Sequence, residues 1–145
     1  MYKRKEAALD LNSFNERVTN YIKSAKEYIE HLNGKTVFFG AAAKGSVFLN
    51  ALGLSVENMP EAYIIDDTYE KQGYYLPGTG FEICSRDRLF NDNVNNIILL
   101  SHNFKDHIID SLRKGTNGED IFNGDIITML PNIEVDTTSN SSSFK

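Results

Sequence analysis

The chain has 145 residues, 41% of them hydrophobic, which is enough for one domain with a substantial core. Its formal net charge is −5 and no basic run offsets it, which argues against nucleic acid or an anionic membrane surface as the main partner. No apolar segment follows the basic first residues and none approaches membrane-spanning length, so we expect a soluble, cytoplasmic protein.

The first predicted element is a long amphipathic helix over residues 12–33. Ser13 and Glu16 have the spacing of a capping box at its start, and Gly34 suits a left-handed stop after its end. Its apolar face recurs at intervals of three and four, through Phe14, Val18, Tyr21, Ile22, Ala25, Ile29 and Leu32. We expect this helix to pack on the following domain, with docking to a partner as the alternative, and residues 1–11 to be flexible.

The next stretch predicts a strand, a loop of small residues and a helix. The strand is Val37 to Phe39, and the loop consists of Gly40, Ala41, Ala42, Ala43, Lys44 and Gly45. Because the loop has almost no side chains, its N–H groups and the helix N-terminus favour an anion, to which Lys44 adds a positive charge. Lys44 lies on the wrong side of Gly45 for a Walker loop, and the glycine spacing disfavours NAD without excluding it. A tight turn that only packs helix on strand is the alternative.

A second buried strand is predicted at residues 62–65 and ends in Asp66. An acidic residue at this place in a nucleotide-binding unit hydrogen-bonds a ribose hydroxyl pair, the alternative being an aspartate that caps the next turn. Residues 69–80 follow as a loop with three tyrosines, in which Pro77 and Gly78 suit a type II turn. Such a loop normally presents aromatic side chains for contact, with ordinary loop packing as the alternative.

The remaining segments continue the alternation of strand and helix. Residues 81–84, 96–100 and 125–131 predict strands, Arg86 to Phe90 a short helix, and Asn103 caps a helix with Phe104, Ile108 and Leu112 inward. His102 follows a central strand, where open α/β sheets bind ligands, and a histidine that only satisfies a loop carbonyl is the slightly favoured alternative. Residues 132–145 include a polar low-complexity run and are predicted to be disordered.

The fold class that follows is α/β, a Rossmann-like open, mostly parallel sheet with helices on both faces, preceded by the long N-terminal helix. The domain occupies residues 35–131. Cys84 is the only cysteine, so an internal disulfide and a thiolate zinc cluster are excluded. A lone thiol beside Ile83 is more typical of a small buried side chain than of a nucleophile.

Three separated motifs carry a family resemblance. They are Phe39 to Gly45, the stretch from Ile65-Asp66 to Lys71-Gln72-Gly73-Tyr74-Tyr75-Leu76-Pro77-Gly78-Thr79, and Leu100 to Phe104. Together they resemble the C-terminal domain of the sugar C-methyltransferases that act on nucleotide-linked deoxysugars. The resemblance covers about residues 35–131.

The resemblance implies a Rossmann-like domain that helps to hold the nucleotide-sugar substrate. In the family, a zinc-binding domain and an S-adenosylmethionine domain precede it, so that cofactor would belong to a partner domain, and we expect no metal or cofactor in this chain. The family's catalytic residues lie in that central domain, and none is carried over. Asp67 stands where the family usually has arginine, and His102 where it commonly has tryptophan.

We therefore expect a stand-alone nucleotide-sugar-binding domain that works with a separate catalytic partner in deoxysugar processing and that could form oligomers. Gly40 to Gly45 would face the pyrophosphate and Asp66 a ribose or sugar hydroxyl. The sugar or base would meet Lys71, Gln72, Tyr75, Pro77, Gly78, Thr79, His102 and Asn103. One alternative is a small sugar-nucleotide-modifying enzyme with His102 as general base. The other is an interaction module that docks through its first helix and binds no ligand.

Overall fold

A computed structural model describes residues 2–101, 103–116, 118–129 and 133–137, and within residues 2–12 it describes the backbone alone. The chain divides into two compact units, Met1–His31 and Leu32–Lys145. None of the helices in these described ranges has the length and apolar run that a membrane crossing requires.

The first unit is a single helix, α1 (Tyr2–Glu30). It continues through Ser13, where the capping box predicts the start, and through residues that the sequence predicts to be flexible. Residues 3–9 read Lys-Arg-Lys-Glu-Ala-Ala-Leu and have high helix propensity, which explains the longer helix. Phe14 and Val18 on this helix are exposed.

The second unit is built on one six-stranded sheet in the order β3-β2-β1-β4-β5-β6. The strands are β1 (Thr36–Phe39), β2 (Ile64–Ile65), β3 (Ile83–Cys84), β4 (Asn96–Leu99), β5 (Asp125–Thr128) and β6 (Glu134–Asp136). All neighbours are parallel except β5 and β6, which are antiparallel. The predicted α/β fold with an open, mostly parallel sheet is therefore confirmed.

Three α-helices and one short 3₁₀-helix connect the strands. They are α2 (Ala43–Leu52), α3 (Arg86–Asn91), α4 (Lys105–Lys114) and the 3₁₀ turn Tyr69–Lys71. The chain leaves β1 toward β2 through α2 and leaves β4 in the opposite direction toward β5 through α4. Because parallel crossovers are right-handed, α2 and α4 lie on opposite faces of the sheet.

The side chains of the central strands alternate between two buried layers. Val37 and Phe39 of β1 join Ile97 and Leu99 of β4 in one apolar cluster. Leu89 of α3 and Leu112 of α4 belong to the same cluster, so these helices cover that face. Phe38 and Ile98, the residues between, are fully buried on the other face.

Strand β6 lies within residues 132–145, where the sequence predicts a disordered tail. It pairs with β5 in the register Thr128 with Glu134 and Ile126 with Asp136. The side chain of Arg113 fastens it, because Nε donates to Asp136 Oδ1 at 2.8 Å and Nη2 to the Asp136 carbonyl at 2.7 Å. The same guanidinium donates to the carbonyls of Phe122 and Gly124, so a long-range contact orders this strand. Residues 130–132 and 138–145 lie outside the described ranges.

Candidate functional site

The strand order reverses at β1 and β4, so the chain leaves the carboxyl ends of these two strands in opposite directions along the sheet. Open α/β sheets bind their ligands at such a point. Gly40 leaves β1 with a φ of +109°, which side-chain-bearing residues rarely adopt, and its N–H donates to the carbonyl of Ile65 at 2.8 Å. A Cβ placed on Gly40 would lie 3.8 Å from the Cβ of Ser101, so the loops after β1 and β4 are neighbours here.

The next residue, Ala41, is held from both sides. Its N–H donates to Asp66 Oδ2 at 2.7 Å, and its carbonyl accepts from the ammonium of Lys71 at 3.1 Å. Both partners belong to the segment that follows β2. This pair of hydrogen bonds, the Ala41 clamp, fixes the orientation of the loop after β1.

Asp66 is itself supported by the residues that follow it. Its other carboxylate oxygen accepts the N–H of Thr68 at 2.8 Å, and its carbonyl accepts from the Gln72 side-chain amide at 2.9 Å. Partial burial raises the pKa of Asp66, but the hydrogen bonds from Ala41 and Thr68 and the charge of Lys71 outweigh it. The net pKa lies below the ordinary value, so the carboxylate is ionised at neutral pH.

Helix α2 begins directly after the clamp and has an open N-terminus. Its N-cap, Ala42, has no side chain that could cap it. Ala42, Ala43 and Lys44 are exposed, and no ion pair of the described side chains includes Lys44. The partial positive charge of the helix N-terminus and an ammonium without an acidic partner in the described residues therefore both lie at exposed residues.

Gly45 serves packing rather than ligand approach. It is buried, and a Cβ there would lie 2.9 Å from the Cβ of Leu100 and 3.3 Å from the carbonyl oxygen of Gly40. Its lack of a side chain lets α2 pack closely against the end of β4. At Gly45, the loop therefore fits the alternative prediction of a tight turn that packs helix on strand.

The turn at Pro77 is fastened to α2. The Thr79 N–H donates to the Leu76 carbonyl at 3.2 Å and Gly78 has a φ of +77°, which confirms the predicted type II turn. The Pro77 carbonyl accepts from Ser46 Oγ at 3.0 Å and from Asn50 Nδ2 at 3.1 Å. A Cβ on Gly78 would collide with the Asn50 amide.

Thr79 and Tyr75, two predicted substrate contacts, lie in different surroundings. The Thr79 side chain is buried, and its hydroxyl donates to the Leu76 carbonyl and accepts the Phe81 N–H, so it stabilises the turn. The Tyr75 side chain is 65% exposed. Its backbone forms an antiparallel β-bridge with Glu82, beyond β3 at the outer edge of the sheet. Among the described contacts, none joins Tyr75 to the loop after β1.

The end of β4 differs from its prediction. The hydroxyl of Ser101 donates weakly to the Asn103 carbonyl at 3.5 Å, and Asn103 is exposed. The N-cap of α4 is Phe104, where the sequence predicts Asn103. Phe104 is 80% exposed, so its predicted inward packing is wrong, because a φ of +61° turns it off the helical path. His102 lies outside the described residues.

Sequence reasoning also missed Arg86. Its guanidinium forms a bidentate pair with the Asp67 carboxylate at 2.8 and 2.9 Å and donates to Ser111 Oγ at 2.9 Å. It lies 5.2 Å from the centre of the Phe39 ring. Asp67, which stands where the resembling family has an arginine, is therefore itself paired with an arginine.

The described residues do not suggest a metal centre or a reactive thiol. No group of three histidine, cysteine, aspartate or glutamate side chains among them could hold a metal ion. Burial raises the pKa of Cys84 above its ordinary value despite the opposing contact with Arg88. The buried thiol is thus protonated at neutral pH.

The structure brings the predicted site residues together in part. Gly40 to Gly45, Asp66, Lys71 and Gln72 share one hydrogen-bonded cluster, and Pro77 to Thr79 join it through α2.

Comparison with known proteins gave one family: a model described as C-methyltransferase C-terminal domain matches residues 4–131. The match extends the resemblance from residue 35 back into α1. No curated protein matches the chain.

Proposed function

The chain belongs to the C-methyltransferase C-terminal domain family, and from this premise we propose that it binds a nucleotide-linked deoxysugar, the substrate of a sugar C-methyltransferase. The methyl donor, S-adenosylmethionine, and the catalytic acid and base would then belong to a catalytic domain or protein with which this chain works. Its own task is to hold the substrate. The location that goes with this proposal is the cytoplasm.

The Ala41 clamp is the observation that carries the proposal. A loop without large side chains leads into an uncapped helix N-terminus, and two bonds from Asp66 and Lys71 hold its backbone in one orientation. The N–H groups of Gly40 and Ala41 are used within the protein, so the N–H groups at the start of α2 are the ones that would bind a pyrophosphate. The chain has a net charge of −5, so the ammonium groups of Lys44 and Lys71 matter for attracting an anion to this place.

The two ends of the ligand would extend from the pyrophosphate, one toward the residues after β2 and the other toward the residues after β4. The Asp66 carboxylate accepts the N–H groups of Ala41 and Thr68, and a ribose or sugar hydroxyl would use a further lone pair of the same group. Asn103, with His102, would meet the sugar or the base beyond the end of β4. The turn from Pro77 to Thr79 would support the loop through its bonds to α2.

Docking to a protein through α1 is the second candidate, and it rests on two exposed apolar side chains. Phe14 is 54% and Val18 is 39% exposed, and they lie four residues apart on one side of the helix. Substitution of both by serine would abolish complex formation with the catalytic partner if this helix docks. It would leave nucleotide-sugar binding unchanged.

Thermal unfolding of the chain with a panel of ligands tests the main proposal. The panel holds thymidine, uridine, guanosine and cytidine diphosphate sugars, NAD(P) and S-adenosylmethionine. A ligand at one hundred times its dissociation constant stabilises a fold by about 2.7 kcal/mol, which raises the unfolding temperature by several degrees. A rise with one class of nucleotide sugar supports the proposal. A rise with NAD(P) alone, or with no member of the panel, contradicts it.

A further inference from the structure

Phe104, which follows β4, combines two unfavourable properties. Its side chain is 80% exposed, and its backbone has a φ of +61° and a ψ of +22°, in the left-handed region. Bulky residues are rare in that region, and a glycine would adopt it without strain. Strained residues of this kind cluster at ligand sites, where the strain places a side chain.

The surroundings of Phe104 indicate a small ligand rather than a protein. Asn103 and Asp106 beside it are exposed and polar, and the Lys105 ammonium pairs with Glu134 at 3.2 Å. A stable protein interface buries hundreds of square ångströms on each partner. One aromatic ring within polar neighbours offers much less, but it matches the area of a planar heterocycle.

Phe104 follows the end of β4, close to the loop that carries the proposed pyrophosphate site. Ser101 adjoins Gly40 on one side and bonds to the Asn103 carbonyl on the other. We infer that the nucleobase of the nucleoside diphosphate sugar stacks on the Phe104 ring, an inference that rests on the proposed function. Asn103 is then the adjacent polar group for the edge of that base. Tyr75, the aromatic residue that the sequence favours, lies beyond β3 instead.

Tryptophan fluorescence gives a direct test, because the chain has no tryptophan of its own. Phe104→Trp places a single reporter at the proposed stacking position, and Tyr75→Trp is the matched control. We expect uridine or thymidine diphosphate to quench the Phe104→Trp emission and inorganic pyrophosphate to leave it unchanged. Neither ligand should change the emission of the Tyr75→Trp variant.

Affinity measurements on the full chain separate stacking from a structural role. Base stacking on an aromatic side chain changes affinity by roughly 5- to 150-fold. Phe104→Ala should therefore weaken uridine diphosphate binding at least about fivefold and leave pyrophosphate binding unchanged, whereas Phe104→Tyr should keep both. Phe104→Gly should lose the same base-dependent affinity while its unfolding temperature stays the same or rises.

The outcomes distinguish this inference from the proposed function. If the unaltered chain binds no nucleoside diphosphate, the proposed function fails and the stacking role fails with it. If the chain binds uridine diphosphate and Phe104→Ala leaves its affinity unchanged, the stacking role alone is overturned. If Phe104→Ala weakens uridine diphosphate and pyrophosphate binding equally, the stacking role is also overturned. The Phe104 ring would then affect binding only by stabilising the loop after β1.

Discussion

The carboxylate of Asp66 accepts the backbone N–H of Ala41 at 2.7 Å, which joins the end of β2 to the loop that follows β1. The position of Asp66 at the end of a strand predicts a ribose contact. In the structure, the same carboxylate also holds the loop after β1 through its hydrogen bond to Ala41. The two roles are compatible because a carboxylate oxygen accepts two hydrogen bonds.

Removal of the Asp66 carboxylate should destabilise the fold. Asp66→Ala leaves the N–H groups of Ala41 and Thr68 without their partner, and hydrogen bonds to charged groups contribute about 1.5–3 kcal/mol. We expect the free energy of unfolding in urea to fall by about that amount. Glu70→Ala, at an exposed acid in the same segment, is the control. Equal stability of the two variants would show that the hydrogen bonds to Asp66 contribute nothing to stability.

The contribution of Asp66 should also depend on pH. Its folded-state pKa lies below the ordinary value, so its stabilisation is present above the unfolded pKa of about 3.9 and is lost as the pH falls through the folded pKa. The stability difference between the unaltered chain and Asp66→Asn should be constant from pH 7 to about 5 and shrink below pH 4. A difference that persists unchanged to pH 2 would contradict an ionised partner for Ala41.

Lys44 and Lys71 should respond differently to substitution. Lys44→Ala should weaken nucleotide-sugar binding by about tenfold, and more at low salt, without changing stability, because its ammonium pairs with no described acid. Lys71→Ala should lower both affinity and stability, because Lys71 also bonds to the Ala41 carbonyl. Titration calorimetry and urea unfolding measure the two effects.

Lys114→Ala, at a 75% exposed lysine in the last turn of α4, controls for the loss of one positive charge. It should change neither quantity by more than a few tenths of a kcal/mol. If Lys114→Ala weakens binding as much as Lys44→Ala, the effect comes from net charge and not from the position of Lys44.

Arg113→Lys should release β6. Lysine keeps the charge but cannot reproduce the guanidinium contacts to Asp136 and to the carbonyls of Phe122 and Gly124. We expect a loss of about 2–3 kcal/mol in unfolding free energy and faster amide hydrogen exchange in Glu134–Asp136. Exchange that stays slow in the variant would show that pairing with β5 holds the strand without Arg113.

The sequence predicts best what depends on local pattern. The apolar runs at β1 and β4 and the Pro77-Gly78 pair predict the sheet and the type II turn, because strand burial and turn chemistry are properties of adjacent residues. The match to the family supports the same domain. The strands and the turn therefore locate the candidate site, but they do not predict the hydrogen bonds within it.

Long-range contacts account for what the sequence does not predict. Ala41 and Asp66 are 25 positions apart, and Arg113 and Asp136 are 23, so neither bond follows from spacing. The side chain of Phe104 has the spacing of a core residue relative to Ile108. A left-handed backbone turn places it in solvent instead. Such a turn at a phenylalanine has no sequence signature.

The Ala41 clamp has a kinetic consequence. Two hydrogen bonds fix the loop within the protein itself, so a ligand that binds there does not have to order a mobile backbone. The entropy that flexible loops lose on association is already spent in folding. Association should therefore occur in one step, with a rate that increases linearly with ligand concentration and shows no plateau from a slow closing motion.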